Sequence, residues 1–244
     1  MKQIKLAVIL AAGMGTRLRG VTGNLIPKGF LEVNKKSLVE RSIEKLRSVG
    51  IEKIIIVTGN LNEFYDSLAK ENDDIFTYKN EEFATTGSMY SLAVLKGKIN
   101  EDFLLLESDI IYEREALVEA IKYKEEDCVM LSGATNSGDE FYVETKNGNM
   151  VRASKDKNEL DSIYGEWVGI SKISVTTFNS MVEFCEKSEI LQYHYEDAII
   201  ETAKIKKVGY QKIENLIWGE IDDASHLERV NSLIIPKLIE KGEE

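Results

Sequence analysis

Gly13, Gly15 and Arg17 follow directly on an apolar run in the segment Leu10-Ala-Ala-Gly-Met-Gly-Thr-Arg17. Glycines permit a tight turn and let backbone N–H groups approach an anion closely. Arg17 adds a planar, permanently charged clamp. Such a loop fits either a phosphate site or an ordinary strand-to-helix turn. Two phosphate motifs are excluded: GxxxxGK[ST] is absent, and Leu18 stands where GxGxxG would have its third glycine. Pro27-Lys28-Gly29 places a second cation behind a rigid proline. A lone lysine is ordinarily solvated, but Lys28 together with Arg17 points to a polyphosphate.

Asp109 stands just beyond the apolar run Phe103 to Glu107. Open α/β sheets bind ligands outside the carboxyl ends of their strands, although an Asp there also serves as a helix cap. Farther on, the informative residues are acidic and aromatic: Asp139-Glu140, Tyr195-Glu-Asp197, Glu220 and Asp222. On an alternating strand Glu220 and Asp222 share a face. A primary ammonium wants carboxylate and hydroxyl acceptors, whereas a trimethylammonium favours an aromatic cage. Here the carboxylates dominate. Any one of 42 acidic side chains can also be simply solvated. His194 and His226 are too few and too scattered for a transition-metal centre and read as surface or packing residues.

The elements that must position these residues are strands alternating with helices, which predicts βαβ units and a mostly parallel sheet. Strands are expected at Lys5 to Ala11, Lys53 to Thr58, Ile75 to Lys79 and Phe103 to Glu107. Ser37-Leu-Val-Glu40 is a capping box opening a helix that Gly50 closes. Further helices are expected at Asn62 to Glu71, Ser88 to Leu95 and Glu115 to Tyr123. Asn147-Gly148 predicts a hairpin between Phe141 to Thr145 and Met150 to Ser154. Strands at Cys128 to Leu131, Glu166 to Ile173 and Lys207 to Ile213 follow, with helices at Val175 to Lys187 and Glu196 to Ala203 and a closing helix from Asp223 to Lys241. The expected fold is therefore α/β, a single domain over 1–244 with a small hairpin subregion.

The 244 residues, 43% hydrophobic, suffice for one large α/β core. A net charge of -11 argues against nucleic acid as a partner. Cys128 and Cys185 lack CxxC spacing, so neither zinc nor a disulfide framework is indicated, and a cytoplasmic location is expected. Lys2 and Lys5 ahead of Leu6 to Ala12 superficially resemble a signal peptide, but the run is short and passes into the Arg-bearing loop, so a buried strand is expected. No window approaches the roughly 20 apolar residues that span a bilayer. A homodimer is compatible with the sequence, which does not separate interface patches from core faces.

The LAAGxGxR and PK signatures resemble those of the sugar-phosphate and alcohol-phosphate nucleotidyltransferases, a group with a Rossmann-like fold. Ile26-Pro-Lys-Gly-Phe-Leu-Glu32, Thr86-Gly-Ser-Met89, Leu104-Leu-Leu-Glu-Ser-Asp109, Ser132-Gly-Ala-Thr-Asn-Ser-Gly-Asp139 and Trp218-Gly-Glu-Ile-Asp222 are similar to the 2-aminoethylphosphonate cytidylyltransferases, with the phosphocholine cytidylyltransferases a related branch. The resemblance spans nearly the whole chain. It implies that CTP and 2-aminoethylphosphonate are the substrates, with Arg17 and Lys28 as catalytic cations. The nucleotide would meet Leu10, Ala11, Ala12, Gly13, Gly15 and Thr16, and Gly59, Thr86, Gly87 and Ser88 would frame the base. Asp109 and Asp222 would bind Mg²⁺. Lys155 and Glu220 would contact the acceptor, and Asp139 and Asp197, with Tyr195 in support, its amino group; Trp167 and Tyr195 would instead surround the quaternary amine of phosphocholine. The nucleotide part would run over about 1–112, the acceptor part over 113–222 and the closing helix over 223–244.

Each assignment has a plain counterpart. Gly87 also suits a turn, Ser88 a helix cap, and Lys155 a solvated strand end. Cytosine is inherited from the resemblance, since no residue separates it from uracil. Phosphocholine and sugar 1-phosphates are the alternative acceptors. A nucleotide-sensing domain without turnover is the non-enzyme alternative, and it would need a broken catalytic position that this chain does not show.

Overall fold

A computed structural model describes residues 3–243, so Lys2 lies outside the described residues. In chain order the elements are β1 (Leu6–Ala11), α1 (Arg19–Thr22), β2 (Glu32–Val33), β3 (Lys36–Ser37), α2 (Leu38–Ser48), β4 (Lys53–Thr58), α3 (Asn62–Lys70), β5 (Ile75–Lys79), α4 (Ser88–Ala93), β6 (Phe103–Glu107), β7 (Ile110–Tyr112) and α5 (Glu115–Lys122). They continue with β8 (Cys128–Ser132), β9 (Tyr142–Lys146), β10 (Asn149–Ser154), β11 (Gly165–Ile173), α6 (Val175–Lys187), α7 (Tyr195–Ala203), β12 (Gly209–Ile213), β13 (Trp218–Glu220), α8 (Ala224–Arg229) and α9 (Ile235–Glu240).

The main sheet runs β10-β9-β11-β6-β1-β4-β5, with β8 and β12 branching beside β11. β1 is parallel to β4 and β6, and β4 to β5; β11 joins β6 antiparallel. This is the expected mixed, mostly parallel sheet in a single α/β domain. Alternation divides the core: Val8, Leu10, Ile55, Val57 and Leu105 pack with α4, α6 and α7, while Ala7, Ile9, Ile54, Ile56 and Leu104 pack with α2, α3 and α5. Strands buried on both faces read as continuous apolar runs, which is why β1, β4 and β6 were visible in the sequence.

Two features depart from expectation. β13 pairs antiparallel with β7, a two-stranded unit that draws Trp218–Glu220 alongside the end of β6. The closing helix is not continuous: α8 gives way to a π-turn over Val230–Ile234 before α9. Pro236 lies in the first turn of α9 and has no N–H to donate to Ser232, which loosens the α-helical ladder at that point. Among the described residues no helix is long and apolar enough to cross a membrane.

Candidate active site

The loop after β1 folds onto Lys28 because Gly15 takes a left-handed backbone (φ 61°), and a Cβ there would lie only 3.3 Å from Lys28 Cγ. Gly29 lets Tyr65 press in behind: a Cβ at Gly29 would stand 2.6 Å from the phenolic oxygen. Residues 10–17, Lys28, Thr86, Gly87, Ser88 and Asp109 thereby line one cavity of about 430 Å³. Gly59 is not among its lining residues. It sits behind Ala12 and Phe83, where any Cβ would be 2.5 Å from the Ala12 carbonyl oxygen. The Thr86 hydroxyl donates to the Glu82 carbonyl (2.9 Å), and Ser88 Oγ accepts the Tyr195 N–H (3.1 Å) and lies 3.3 Å from His194 Nδ1. The Gly87 N–H donates to the Leu191 carbonyl (2.8 Å). Phe83 and Ala84, which carry no motif, line the same cavity.

A second cavity, about 510 Å³, adjoins the first and shares Arg17, Glu107, His194, Glu196 and Glu220 with it. Asp139, Lys155 and Asp197 line it, as do Phe141, Trp167 and Trp218. His226 and Arg229 also reach it from α8, so the closing helix is part of the cavity wall.

An unbroken chain of alternating charge joins the two cavities. Lys155 Nζ is 2.7 Å from Asp139 Oδ1, and Asp139 Oδ2 is 3.2 Å from Arg17 Nη1. Arg17 Nη2 reaches Asp222 Oδ2 at 2.7 Å. Lys28 Nζ then bridges Asp222 Oδ1 and Asp109 Oδ2, the latter at 2.9 Å. Burial opposes ionisation of Asp222, but Lys28 and then Arg17 hold its carboxyl down at about 2. Burial likewise disfavours the Lys28 ammonium, yet Asp109 and Asp222 raise its pKa overall.

Three further carboxylates sit at the shared wall, and two of them carried no earlier assignment. Glu107 accepts a 2.8 Å hydrogen bond from the Tyr195 hydroxyl, so Tyr195 is buried and turned toward Glu107. Burial, then the Asp109 charge, pushes Glu107 up to about 7. Gly169 makes room for it: a Cβ there would lie 2.5 Å from Glu107 Oε2. Glu196 Oε2 is shut off from solvent and has no hydrogen-bond partner among the described residues, and burial with Glu107 raises its pKa. Its neighbour Asp197 is exposed and accepts the His194 backbone N–H at 3.1 Å, a helix-capping contact. Glu220 meets Asp222, although β13 ends at Glu220 and Asp222 lies beyond the strand, so the contact is not one of strand alternation; burial, followed by the charges of Asp109 and Glu107, pushes Glu220 up to about 10.

The donor set suits a hard divalent cation. Glu107, Asp109 and Glu220 offer oxygens within 4.8 Å of one another; Asp222, the second expected ligand, is not in this cluster and is joined to Asp109 through Lys28 Nζ, a positive charge between the two. His194 and His226 line the cavities, but neither joins this oxygen cluster.

The sequence pattern of the MobA-like NTP transferase domain matches residues 7–165, from β1 into β11. The chain belongs to this family of nucleotidyltransferases. It is 26% identical over 241 residues to choline-phosphate cytidylyltransferase of Streptococcus pneumoniae, covering 93% of this chain and 97% of that one. CTP:phosphoglutamine cytidylyltransferase of Campylobacter jejuni is also 26% identical, over 247 residues, covering 91% and 97%. The fold is that of the inositol-1-phosphate CTP transferase from T. maritima, with a TM-score of 0.84 at 19% identity and coverage of 100% and 98%.

Proposed function

We propose that this nucleotidyltransferase condenses CTP with 2-aminoethylphosphonate, giving CMP-2-aminoethylphosphonate and pyrophosphate. The charge chain from Lys155 to Asp109 carries this reading, because it places cations and carboxylates continuously across two adjoining cavities. CTP is favoured because the full-length relatives are named for cytidylyl transfer. A phosphonate oxygen attacks the α-phosphorus in line, an O–P bond forms, and the bond to the β-phosphate oxygen breaks with release of pyrophosphate. No general base is needed, since a phosphoryl-type group is largely ionised near neutral pH. Catalysis rests on alignment and charge neutralisation.

In this mechanism Leu10–Arg17 wraps the triphosphate, and Arg17 and Lys28 exchange their carboxylate partners for phosphate oxygens. Asp222 and Asp109, relieved of Lys28, would hold Mg²⁺, which supplies charge neutralisation on the phosphates. Released from Arg17, Asp139 faces the acceptor beside Lys155. Glu196 is the carboxylate best placed for the ammonium, because it lines both cavities at their shared wall. Residues 1–112 supply most of the nucleotide side and 113–222 most of the acceptor side.

Phosphocholine is the second reading, favoured by Phe141, Trp167 and Trp218 in the acceptor cavity. Pyrophosphate release from CTP or UTP, with 2-aminoethylphosphonate, phosphocholine or glucose 1-phosphate as acceptor and Mg²⁺ present, tests both. Highest kcat/KM with CTP and 2-aminoethylphosphonate is expected. A clear preference for phosphocholine transfers the assignment to the second reading, and tight CTP binding without turnover on any acceptor would make the chain a nucleotide sensor.

A further inference from the structure

Gln192 lines the triphosphate cavity from the segment that joins α6 to α7, and it is exposed, so a molecule in that cavity can reach it. The segment is pinned to the start of α4 on both sides of the residue. The Gly87 N–H donates to the Leu191 carbonyl (2.8 Å) and the Met89 N–H to the Tyr193 carbonyl (3.2 Å). Gly87 permits the approach, since a Cβ there would collide with the Tyr193 backbone. The side chain is fixed as well. Gln192 Nε2 donates to the Thr85 carbonyl at 2.8 Å, the one hydrogen bond of this side chain among the described residues. A carbonyl takes only a donor, so Nε2 must face Thr85, and Oε1 is left as an open acceptor.

The wall formed by residues 83–91 and Gln192 brings no charged side chain to the cavity, whereas Arg17 and Lys28 supply its cations. A neutral base belongs against the uncharged wall and the phosphates on the cations. The polar groups of that wall differ in what they can distinguish. Thr86 Oγ1 is occupied twice, accepting from Asn80 Nδ2 (3.0 Å) and donating to the Glu82 carbonyl. Ser91 Oγ accepts from the same Asn80 amide (3.1 Å), and Ser88 Oγ accepts the Tyr195 N–H. A serine hydroxyl turns to donate or accept, so it serves either pyrimidine. Gln192 has no such freedom. Presenting Nε2 to the base would set Oε1 against the Thr85 carbonyl, acceptor against acceptor.

Cytosine carries an exocyclic amine, a donor, where uracil carries a carbonyl, an acceptor. We infer that Gln192 Oε1 accepts the exocyclic amine of the cytosine and thereby selects CTP over UTP. This rests on the cytidylyl-transfer reading and deepens it by giving the choice of base to a named side chain. With UTP in the same place, the uracil carbonyl meets a fixed acceptor and the glutamine oxygen goes unpaired.

The test is the ratio of kcat/KM for CTP over UTP, with Mg²⁺ and with 2-aminoethylphosphonate or phosphocholine, whichever is turned over. It is measured in the wild-type chain and in Gln192→Met, which keeps the length of the side chain but has no acceptor oxygen. Wild type is expected to favour CTP, and the ratio should fall on the order of 10-fold in the variant. A merely structural role, through loss of the Thr85 bond, would weaken both nucleotides alike and leave the ratio unchanged. A CTP preference that survives intact in Gln192→Met therefore overturns the inference and leaves the transfer reading standing. Equal or better use of UTP by the wild type overturns the inference together with the choice of cytosine. Absence of turnover with every acceptor overturns the transfer reading. In that case calorimetric Kd values for CTP and UTP with Mg²⁺ give the same ratio, expected to fall by a similar factor in the variant, and an unchanged ratio overturns the inference. Gln192→Leu supplies the ratio should the methionine variant fail to fold.

Discussion

Arg17 and Asp139 stand 122 residues apart in sequence, yet their side chains meet at 3.2 Å, tying the phosphate loop to the acceptor cavity. A triphosphate competes with Asp139 and Asp222 for the same guanidinium, so nucleotide binding should free a carboxylate for the acceptor. Acceptor affinity, measured by calorimetry with and without a non-hydrolysable CTP analogue, should rise about 5-fold or more with the analogue present. Asp139→Asn should shrink that difference. Equal affinities in the two conditions would show that the pair does not couple the cavities.

Asp109→Asn should leave the melting temperature nearly unchanged, because volume is conserved at the strand end, and should lower kcat by on the order of 100-fold. The loss should persist across Mg²⁺ concentrations. Wild-type turnover would remove Asp109 from the proposed metal site.

Glu196 and its neighbour Asp197 should separate cleanly. Glu196→Gln should raise KM for 2-aminoethylphosphonate about 10-fold, since it removes a carboxyl group from the wall that both cavities share. Asp197→Asn should act mainly on stability, by on the order of 1 kcal/mol, through its cap on the His194 N–H. Steady-state kinetics and urea denaturation on the same preparations read both quantities, and the opposite pattern would return the ammonium contact to Asp197.

The capping box that opens α2 makes a prediction about pH. The Ser37 hydroxyl and backbone N–H both donate to Glu40 and hold its carboxyl below the ordinary 4.5. A lowered folded value stabilises the fold above the unfolded value and loses that contribution as pH falls through the folded one. Ser37→Ala should therefore cost about 1 kcal/mol near neutrality, and the gap to wild type should narrow in urea melts below pH 4.5. A gap that is constant from pH 7 to pH 3 would mean that Glu40 takes no part.

Much of the site was legible because its chemistry is carried by short motifs. Arg17, Lys28, Asp109 and Asp139 were singled out by local context, Lys155 and Asp222 by the family resemblance, and the structure joins all six in one charge chain. The unread residues lack such context. Glu107 ends a strand that reads as core, and only Gly169, far away in sequence, reveals why a carboxylate fits there. Arg229 sits mid-pattern in an amphipathic helix, indistinguishable from a solvated charge. Thr86, Gly87 and Ser88 lie at the cavity, but their polar groups already have protein partners, a fact fixed by tertiary packing alone. The two-residue pairing of β2 with β3 and the β13–β7 unit fall below the length at which alternation is readable.

The fit of Glu107 against Gly169 limits how this pocket can change. Gly169 holds a left-handed backbone (φ 78°) inside a buried strand, and the missing side chain is the space that the Glu107 carboxylate fills. A larger residue at 169 collides while Glu107 remains, and shortening Glu107 alone leaves a hole and strands the Tyr195 hydroxyl. Single mutational steps from either end are therefore uphill. The smooth route to a reshaped acceptor pocket alters both positions at once, with Asn the natural entrant at 169 because it tolerates the left-handed region.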